Sequence, residues 1–152
     1  MILDERTEFV DGITLNPGAV GSYLLGDVVD LIGSSSPLQN RDVGAGHPIY
    51  FVVTVDQTAT GAGASLSVDL ITDDNSAMTS PAVLATVGPA AVASLTAGRM
   101  VGAISLPVEG TPYERYLGIR QNTIGAAFTA GKISAFLVLD VAKWRAYKDA
   151  DN

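Results

Sequence analysis

The strongest constraint on the fold is a period-two alternation of apolar and polar residues in short segments. The odd positions of Ile49–Val55 are apolar, and Ser65–Thr72 and Ile133–Val141 show the same alternation. This pattern is typical of β-strands with one buried face. Because Ile133–Val141 is apolar on both faces, it predicts a central strand or one covered on both sides. Five further segments have strand character: Ser22–Leu25, Val28–Ile32, Ala82–Val87, Val101–Leu106 and Arg115–Gln121.

Turn residues separate these segments at the spacing of an all-β domain. They are Asn16-Pro17-Gly18, Gly61–Gly63, Asp73–Ser76, Gly88-Pro89 and Gly110–Pro112. About eight short strands with such turns predict an antiparallel β-sandwich or jelly roll. A helix over residues 82–103 is the less favoured alternative, because glycine and proline interrupt it.

The predicted organisation is a single β-sandwich domain over residues 13–141. An N-terminal arm, residues 1–12, precedes it, and a short helical or irregular C-terminal tail, residues 142–152, follows it. The predicted core consists of the inward positions of the three best strands: Ile49, Phe51, Val53, Val55, Leu66, Val68, Leu70, Leu137 and Leu139.

Composition excludes several classes of protein. With 47% hydrophobic and 16% charged residues, the 152-residue chain has the apolar content for a core and is not intrinsically disordered. The net charge of −7 and the scattered basic residues argue against nucleic-acid binding. Without cysteine and with a single histidine, disulfides, thiolate zinc sites and multi-histidine metal sites are excluded. An acidic start and short apolar runs predict neither a signal peptide nor a membrane span, and favour a reducing, cytosol-like compartment.

No group of residues predicts catalysis. The segment Gly125–Ile133 has the wrong glycine spacing for a phosphate-binding loop, and a strand follows it where that motif needs a helix. Asp73–Asn75 lacks the ligand order of a calcium loop and is more simply a turn. His47 precedes a proline and has no nucleophile motif to serve, while Glu109 and Glu114 flank a loop. We therefore expect no enzyme, no cofactor and no metal.

The two ends of the chain carry apolar and aromatic residues outside the predicted strands. Met1, Ile2 and Leu3 open the chain, and Trp144 and Tyr147 lie near its end. Such side chains can anchor a neighbouring subunit or partner. They can equally pack back on their own sandwich.

Several segments, taken in order from residue 1 to about 141, resemble the small cement, or decoration, proteins of tailed-bacteriophage capsids. The resemblance is to the family represented by the cement protein of a Bordetella podophage. The most specific match is the glycine-rich approach to a strand, Arg41–Tyr50. Two places depart from the family pattern: His47, where an acidic residue is expected, and the extension Ala142–Asn152. The other matching segments are Met1–Asp4, Gly26–Leu31, Gly61–Gly63, Thr72–Asn75, Glu114–Leu117, Thr129–Gly131 and Phe136–Asp140.

This resemblance implies a jelly-roll-like β-sandwich that forms a small homo-oligomer, a dimer or trimer, on the exterior of a virion after synthesis in the host cytoplasm. There it would bridge adjacent major capsid proteins and stabilise the head against the pressure of packaged DNA. The expected capsid or oligomer contacts are Met1, Ile2, Leu3, Asp4, Arg41, Asp42, His47, Trp144 and Tyr147. The alternatives are another virion structural protein, such as a head-completion or tail protein, and a carbohydrate-binding β-sandwich.

Overall fold

The computed structural model describes residues 8–31, 48–106 and 113–141, and this part of the chain is almost entirely β. It forms eight strands: β1 (Glu8–Thr14), β2 (Gly21–Asp30), β3 (Tyr50–Thr60), β4 (Ser65–Asp73), β5 (Ala82–Ala91), β6 (Met100–Ser105), β7 (Tyr116–Ile124) and β8 (Ala130–Val138). One 3-10 turn, Val92–Ser94, links β5 to β6. Residues 82–103 therefore form two strands and not a helix.

The strands form two antiparallel four-stranded sheets with jelly-roll topology. Sheet I has the order β1-β8-β3-β6, and sheet II has the order β2-β7-β4-β5. The strand pairs are thus nested, β1 with β8, β2 with β7, β3 with β6 and β4 with β5, as expected when one long hairpin rolls up into two sheets. The predicted fold class, an all-β antiparallel jelly-roll sandwich, is confirmed.

Eight strands were predicted and eight are present. The numbers agree because one strand was missed and one was predicted as two. Ser22–Leu25 and Val28–Ile32 were predicted as two strands, whereas residues 21–30 form the single strand β2 with a bulge between Leu25 and Val29. Strand β1 was not predicted. It begins at Glu8, so residues 8–12 of the predicted N-terminal arm pair with β8 in sheet I. The rest of that arm, residues 1–7, and the tail, residues 142–152, lie outside the described residues.

The core between the sheets contains most of the predicted inward positions. Six of the nine predicted residues are exposed by 1% or less: Phe51, Val53, Val55, Leu66, Val68 and Leu70. Ile49 and Leu137 are partly buried and pack against the same cluster. Phe9 of the unpredicted strand β1 meets Phe51 edge-to-face, with ring centroids 6.3 Å apart.

Leu139 was wrongly assigned to the core. Its side chain is 63% exposed, because β8 ends at Val138 and the strand alternation ends with it. Strand β8 begins at Ala130, before the predicted start at Ile133, and its predicted central position is confirmed. It lies between β1 and β3 in sheet I and has apolar side chains buried on both of its faces.

Candidate interaction surface

The nine residues predicted to make capsid or oligomer contacts lie in segments that the structure does not describe. They are Met1, Ile2, Leu3, Asp4, Arg41, Asp42, His47, Trp144 and Tyr147, and their contacts remain predictions. The surfaces that can be examined are those of the eight strands and their turns.

The glycine-rich segments form packed turns. Gly61–Gly63 connects β3 to β4, and Gly125 begins the connection from β7 to β8. The two turns lie against each other, since a Cβ added to Gly61 would lie 2.5 Å from the carbonyl oxygen of Ala127. Their backbone amides therefore do not surround an open phosphate-sized site, and Gly125–Ile133 is the turn-to-strand connection that the sequence favours.

The acidic turn after β4 is organised by Asp73. One oxygen of its buried carboxylate accepts a hydrogen bond from the amide of Asn75 (3.0 Å), and the other accepts one from the amide of Ser80 (2.9 Å). These two backbone hydrogen bonds lower the pKa of Asp73. Carboxylate oxygens of Asp73, Asp74 and Glu114 lie within 4.8 Å of one another. Through its hydrogen bonds to the amides of Asn75 and Ser80, the Asp73 side chain shapes this turn.

The outer face of sheet II carries a buried polar network centred on Asp69. The Asp69 carboxylate accepts hydrogen bonds from Arg120 (2.8 Å), Asn122 (2.8 Å) and the hydroxyl of Thr86 (2.7 Å). These four residues belong to β4, β7 and β5, so one carboxylate joins three neighbouring strands. Ser67 extends the network as the acceptor of a 3.3 Å hydrogen bond from Asn122.

The ionisation of Asp69 reflects a balance between burial and hydrogen bonding. Burial raises the pKa of a carboxyl group, but the hydrogen bonds from Asn122, Arg120 and Thr86 and the charge of Arg120 outweigh it and lower the pKa of Asp69. The side chain is only 7% exposed, against 28% for Arg120. Asp69 is therefore a charged group whose hydrogen bonds are made within the sheet.

A second ion pair lies at the end of this face. Arg115 donates two hydrogen bonds to the carboxylate of Asp30, at 3.1 and 2.8 Å. Its guanidinium carbon is 5.0 Å from the ring centroid of Tyr116. The hydrogen bonds to Asp30 raise the pKa of Arg115. Both ion pairs thus balance a positive and a negative charge within the face.

Apolar side chains occupy the space between the two ion pairs. Met78, from the turn after β4, lies over Gly118, and its methyl group is 3.0 Å from where a Cβ of residue 118 would be. Leu24 and Val28 of β2 border the same glycine. Leu24 is 45% exposed, and Val83, at the opposite edge of the sheet, is 41% exposed. We call this surface, with its exposed side chains Leu24 and Val83, the sheet II face.

The sheet II face was not predicted from the sequence. Asp69 and Arg120 are 51 residues apart, and Asp30 and Arg115 are 85 apart, so no local motif joins them. The available signal was the alternation itself, which places Ser67 and Asp69 on the face of β4 opposite the core residues Leu66, Val68 and Leu70.

The protein is an eight-stranded jelly-roll sandwich, and the hydrogen bonds of Asp69 and Asp73 join its strands and shape one of its turns. The chain belongs to the Bbp16 family, a Bordetella phage protein family, which matches residues 18–137. The match contains all of β2 to β7 and all but the last residue of β8. None of the curated proteins compared with this sequence matches it. Within the described residues, no helix is long and apolar enough to cross a membrane.

Proposed function

We propose that this protein is a capsid cement, or decoration, protein. It binds the outer surface of a tailed-phage head and bridges neighbouring major capsid proteins, which stabilises the head against DNA pressure. The observation that carries the proposal is membership of the Bbp16 phage family over residues 18–137, the whole jelly roll apart from β1 and the end of β8. The protein is a homo-oligomer on the virion exterior in this proposal.

A cement protein needs a rigid scaffold with complementary surfaces and no chemistry. Rigidity is supported by the network that joins β4, β5 and β7 through Asp69 and by the core shared between the sheets. The proposal is accordingly non-enzymatic and requires no cofactor.

The sheet II face is the capsid-binding surface in this proposal. The chain carries a net charge of −7, whereas Asp69 and Asp30 on this face are each paired with an arginine. Association through such a face avoids placing unpaired carboxylates against a partner, which is the costly case. Leu24 and Val83 offer apolar area for burial. A stable interface of about 1,200–2,000 Å² would also need residues around this face.

Each contact of a cement protein can be modest. Many copies bind fixed sites on the head, and an oligomer that engages two sites gains effective concentration without new contacts. A closed homo-oligomer, a dimer or trimer, supplies this multivalency.

Cosedimentation with expanded heads that lack the protein tests the proposal. We expect saturation at hundreds of copies per head, since decoration follows the capsid lattice. Saturation at about a dozen copies would instead indicate a vertex, head-completion or tail protein, because connectors form closed rings at one place. No binding to heads, together with binding to a glycan array, would indicate the carbohydrate-binding alternative.

Two variants test the surface. Leu24→Asp and Val83→Asp should each weaken head binding at least tenfold, because a carboxylate would be buried without a partner. Val20→Asp is the matched control: Val20 is 54% exposed but lies in the turn before β2. Equal loss of binding in the control would overturn the assignment of the surface.

A further inference from the structure

One side of the sandwich is formed by two strands without a charged side chain. Strands β5 and β6 are the edge strands of sheet II and sheet I, and they contact each other where Val87 lies beside Gly102. From Asn75 to Leu106 the only charged residue is Arg99, in a chain with nine lysines and arginines and sixteen aspartates and glutamates. We call the side formed by β5 and β6 the neutral flank.

The opposite side of the sandwich is acidic. Its edge strands are β1 and β2, which contain Glu8, Asp11, Asp27 and Asp30 and no basic residue. Charged side chains on an edge strand hinder its association with another chain. The two sides of the sandwich therefore differ: carboxylates protect one of them, and the neutral flank has no such protection.

The neutral flank leaves apolar side chains partly open to solvent. Leu84 of β5 and Val101 and Ile104 of β6 pack against the core but are only partly buried. Val83 is 41% exposed, and Val87 is the one buried residue among the ten of β5. In β4, an interior strand of the same sheet, eight of the nine residues are buried. The flank thus offers apolar area that a partner can bury.

Irregular strand pairing limits how a partner can bind to the neutral flank. Strand β5 departs from regular pairing with β4 at residues 83–85 and again at residues 87–90, and β6 departs from regular pairing with β3 at residues 100–102. Bulged edges resist the continuous strand addition that leads to open-ended assembly. We therefore expect the flank to be covered through its side chains, by one partner at a time.

We propose that the neutral flank binds the neutral flank of a second copy, in a dimer with twofold symmetry. Each copy has a net charge of −7, so two copies repel each other. A contact between two flanks without carboxylates brings the fewest like charges together. A twofold axis places the same surface on both sides of the contact, so the flank needs no second complementary surface. A basic partner would instead be attracted to the acidic side formed by β1 and β2.

The size of the neutral flank suits a reversible dimer. The ten residues of β5 extend about 33 Å, and two packed sheets with their side chains are roughly 20 Å across, which gives roughly 650 Å² per copy. Stable interfaces bury about 1,200–2,000 Å² in total, so this contact lies near the lower end of the range. We therefore expect the dimer to dissociate on dilution.

The dimer supplies the homo-oligomer of the proposed function, and the inference rests on that proposal in this respect. Because β5 is the edge strand of sheet II, the sheet II faces of the two copies lie side by side in the dimer. Two faces in one molecule provide the multivalency for binding to the head. A dimer that does not decorate heads would contradict the proposed function alone, whereas decoration by monomers would contradict this inference alone.

Sedimentation equilibrium of the full-length protein without heads tests the dimer. We expect a reversible equilibrium between a monomer of 15.7 kDa and a species of twice that mass. The dissociation constant should fall as salt is added, because salt screens the repulsion between acidic copies and leaves an uncharged contact intact. A monomer at every concentration, a trimer, or a dimer that salt weakens would overturn the proposal.

Substitutions at exposed positions test whether the neutral flank is the contact. Ala91→Asp in β5 and Ala103→Asp in β6 each place a carboxylate on the flank. Each should raise the dissociation constant at least about tenfold, because the carboxylate is buried without a partner. Thr14→Asp, at an exposed position of β1 on the acidic side, is the matched control and should change it less than about threefold. Equal dissociation constants for the three variants would overturn the assignment of the flank.

A distance between copies provides a measurement that does not depend on weakening the dimer. Because the chain has no cysteine, Ala103→Cys or Thr14→Cys each accepts a single spin label. In the dimer, two labels at position 103 should lie closer together than two labels at position 14, since β6 is next to the twofold axis and β1 is on the far side of each copy. A shorter distance at position 14 would overturn the proposal.

Discussion

The side chain of Gln121 hydrogen-bonds to the backbone of Asn16 as a neighbouring strand would. Its carbonyl oxygen accepts the Asn16 amide at 2.9 Å, and its amide nitrogen donates to the Asn16 carbonyl oxygen at 3.3 Å. The same nitrogen donates to the hydroxyl of Thr123 at 2.7 Å. Gln121 is fully buried, so this pairing fixes the turn between β1 and β2 to β7 from inside the sandwich.

Replacing Gln121 should therefore destabilise the fold. Gln121→Leu preserves volume but removes the partners of Asn16 and Thr123, and we expect a loss of about 1–3 kcal/mol in the free energy of unfolding. Urea denaturation measures it. Gln57→Leu, at an exposed position of β3, is the control and should change stability by less than about 0.5 kcal/mol. Equal effects of the two substitutions would mean that the pairing with Asn16 contributes little.

Asp69 should make stability depend on pH in the acid range. Because its pKa is lowered in the folded protein, its contribution is present above the usual carboxyl pKa of about 3.9 and is lost as pH falls through the lowered value. Asp69→Asn should cost about 1.5–3 kcal/mol near pH 7. The difference from the wild-type protein should shrink below about pH 4.

Thermal or urea unfolding across pH 2–8 measures this difference, and Asp27→Asn, at an exposed position of β2, is the control. A gap between Asp69→Asn and the wild-type protein that stays constant down to the lowest pH would contradict the assignment of a charged, hydrogen-bonded Asp69.

Two glycines with the same backbone conformation should respond very differently to alanine. Gly12 and Gly26 have φ values of +56° and +62°. A Cβ on Gly12 would meet nothing within 4 Å, whereas one on Gly26 would lie 2.1 Å from a methyl carbon of Val10 and 2.3 Å from the carbonyl oxygen of Phe9. Gly26 of β2 therefore packs directly against the backbone of β1 in the other sheet.

Gly12→Ala should cost about 1–2 kcal/mol, the conformational penalty alone. Gly26→Ala adds a backbone clash and should cost several kilocalories per mole more or prevent folding. Soluble yield and urea unfolding distinguish the two variants. Similar stabilities would show that β1 and β2 can separate at little cost.

Phe51 and Leu139, both predicted to be core residues, should lose very different amounts of stability when replaced by alanine. Phe51→Ala, in the centre of the sandwich, should cost about 3–5 kcal/mol. Leu139→Ala should cost less than about 0.5 kcal/mol, because its side chain is mostly in solvent. A large loss at Leu139 would mean that the side chain is buried in the folded protein, for example in an oligomer.

How far the sequence predicts this fold depends on how regular each strand is. Ser65–Thr72 was predicted almost to its ends because its alternation is uninterrupted. Strand β1 was missed and β2 was divided because left-handed glycines, Gly12 and Gly26, interrupt their alternation with bulges. The pattern records which face each residue occupies, and a bulge changes that face within one strand.

The candidate surface was less predictable than the fold. The ends of the chain and His47 were selected as candidate contacts from the sequence. They lie outside the predicted strands. The pairing of Asp69 with Arg120 depends on β4 and β7 being neighbours in sheet II, and alternation does not determine strand order. Gln121 was easier to identify from the sequence than the pairing of Asp69 with Arg120. It is a polar residue at an inward position, two residues after the core residue Ile119.

The stability of filled heads tests the central claim most directly. Heads that lack the protein are heated with and without a saturating amount of it, and DNA release is followed by the fluorescence of an intercalating dye. A cement protein should raise the temperature of DNA release, and Leu24→Asp should raise it less than Val20→Asp at the same concentration. Release at the same temperature with and without the bound wild-type protein would contradict the proposed function.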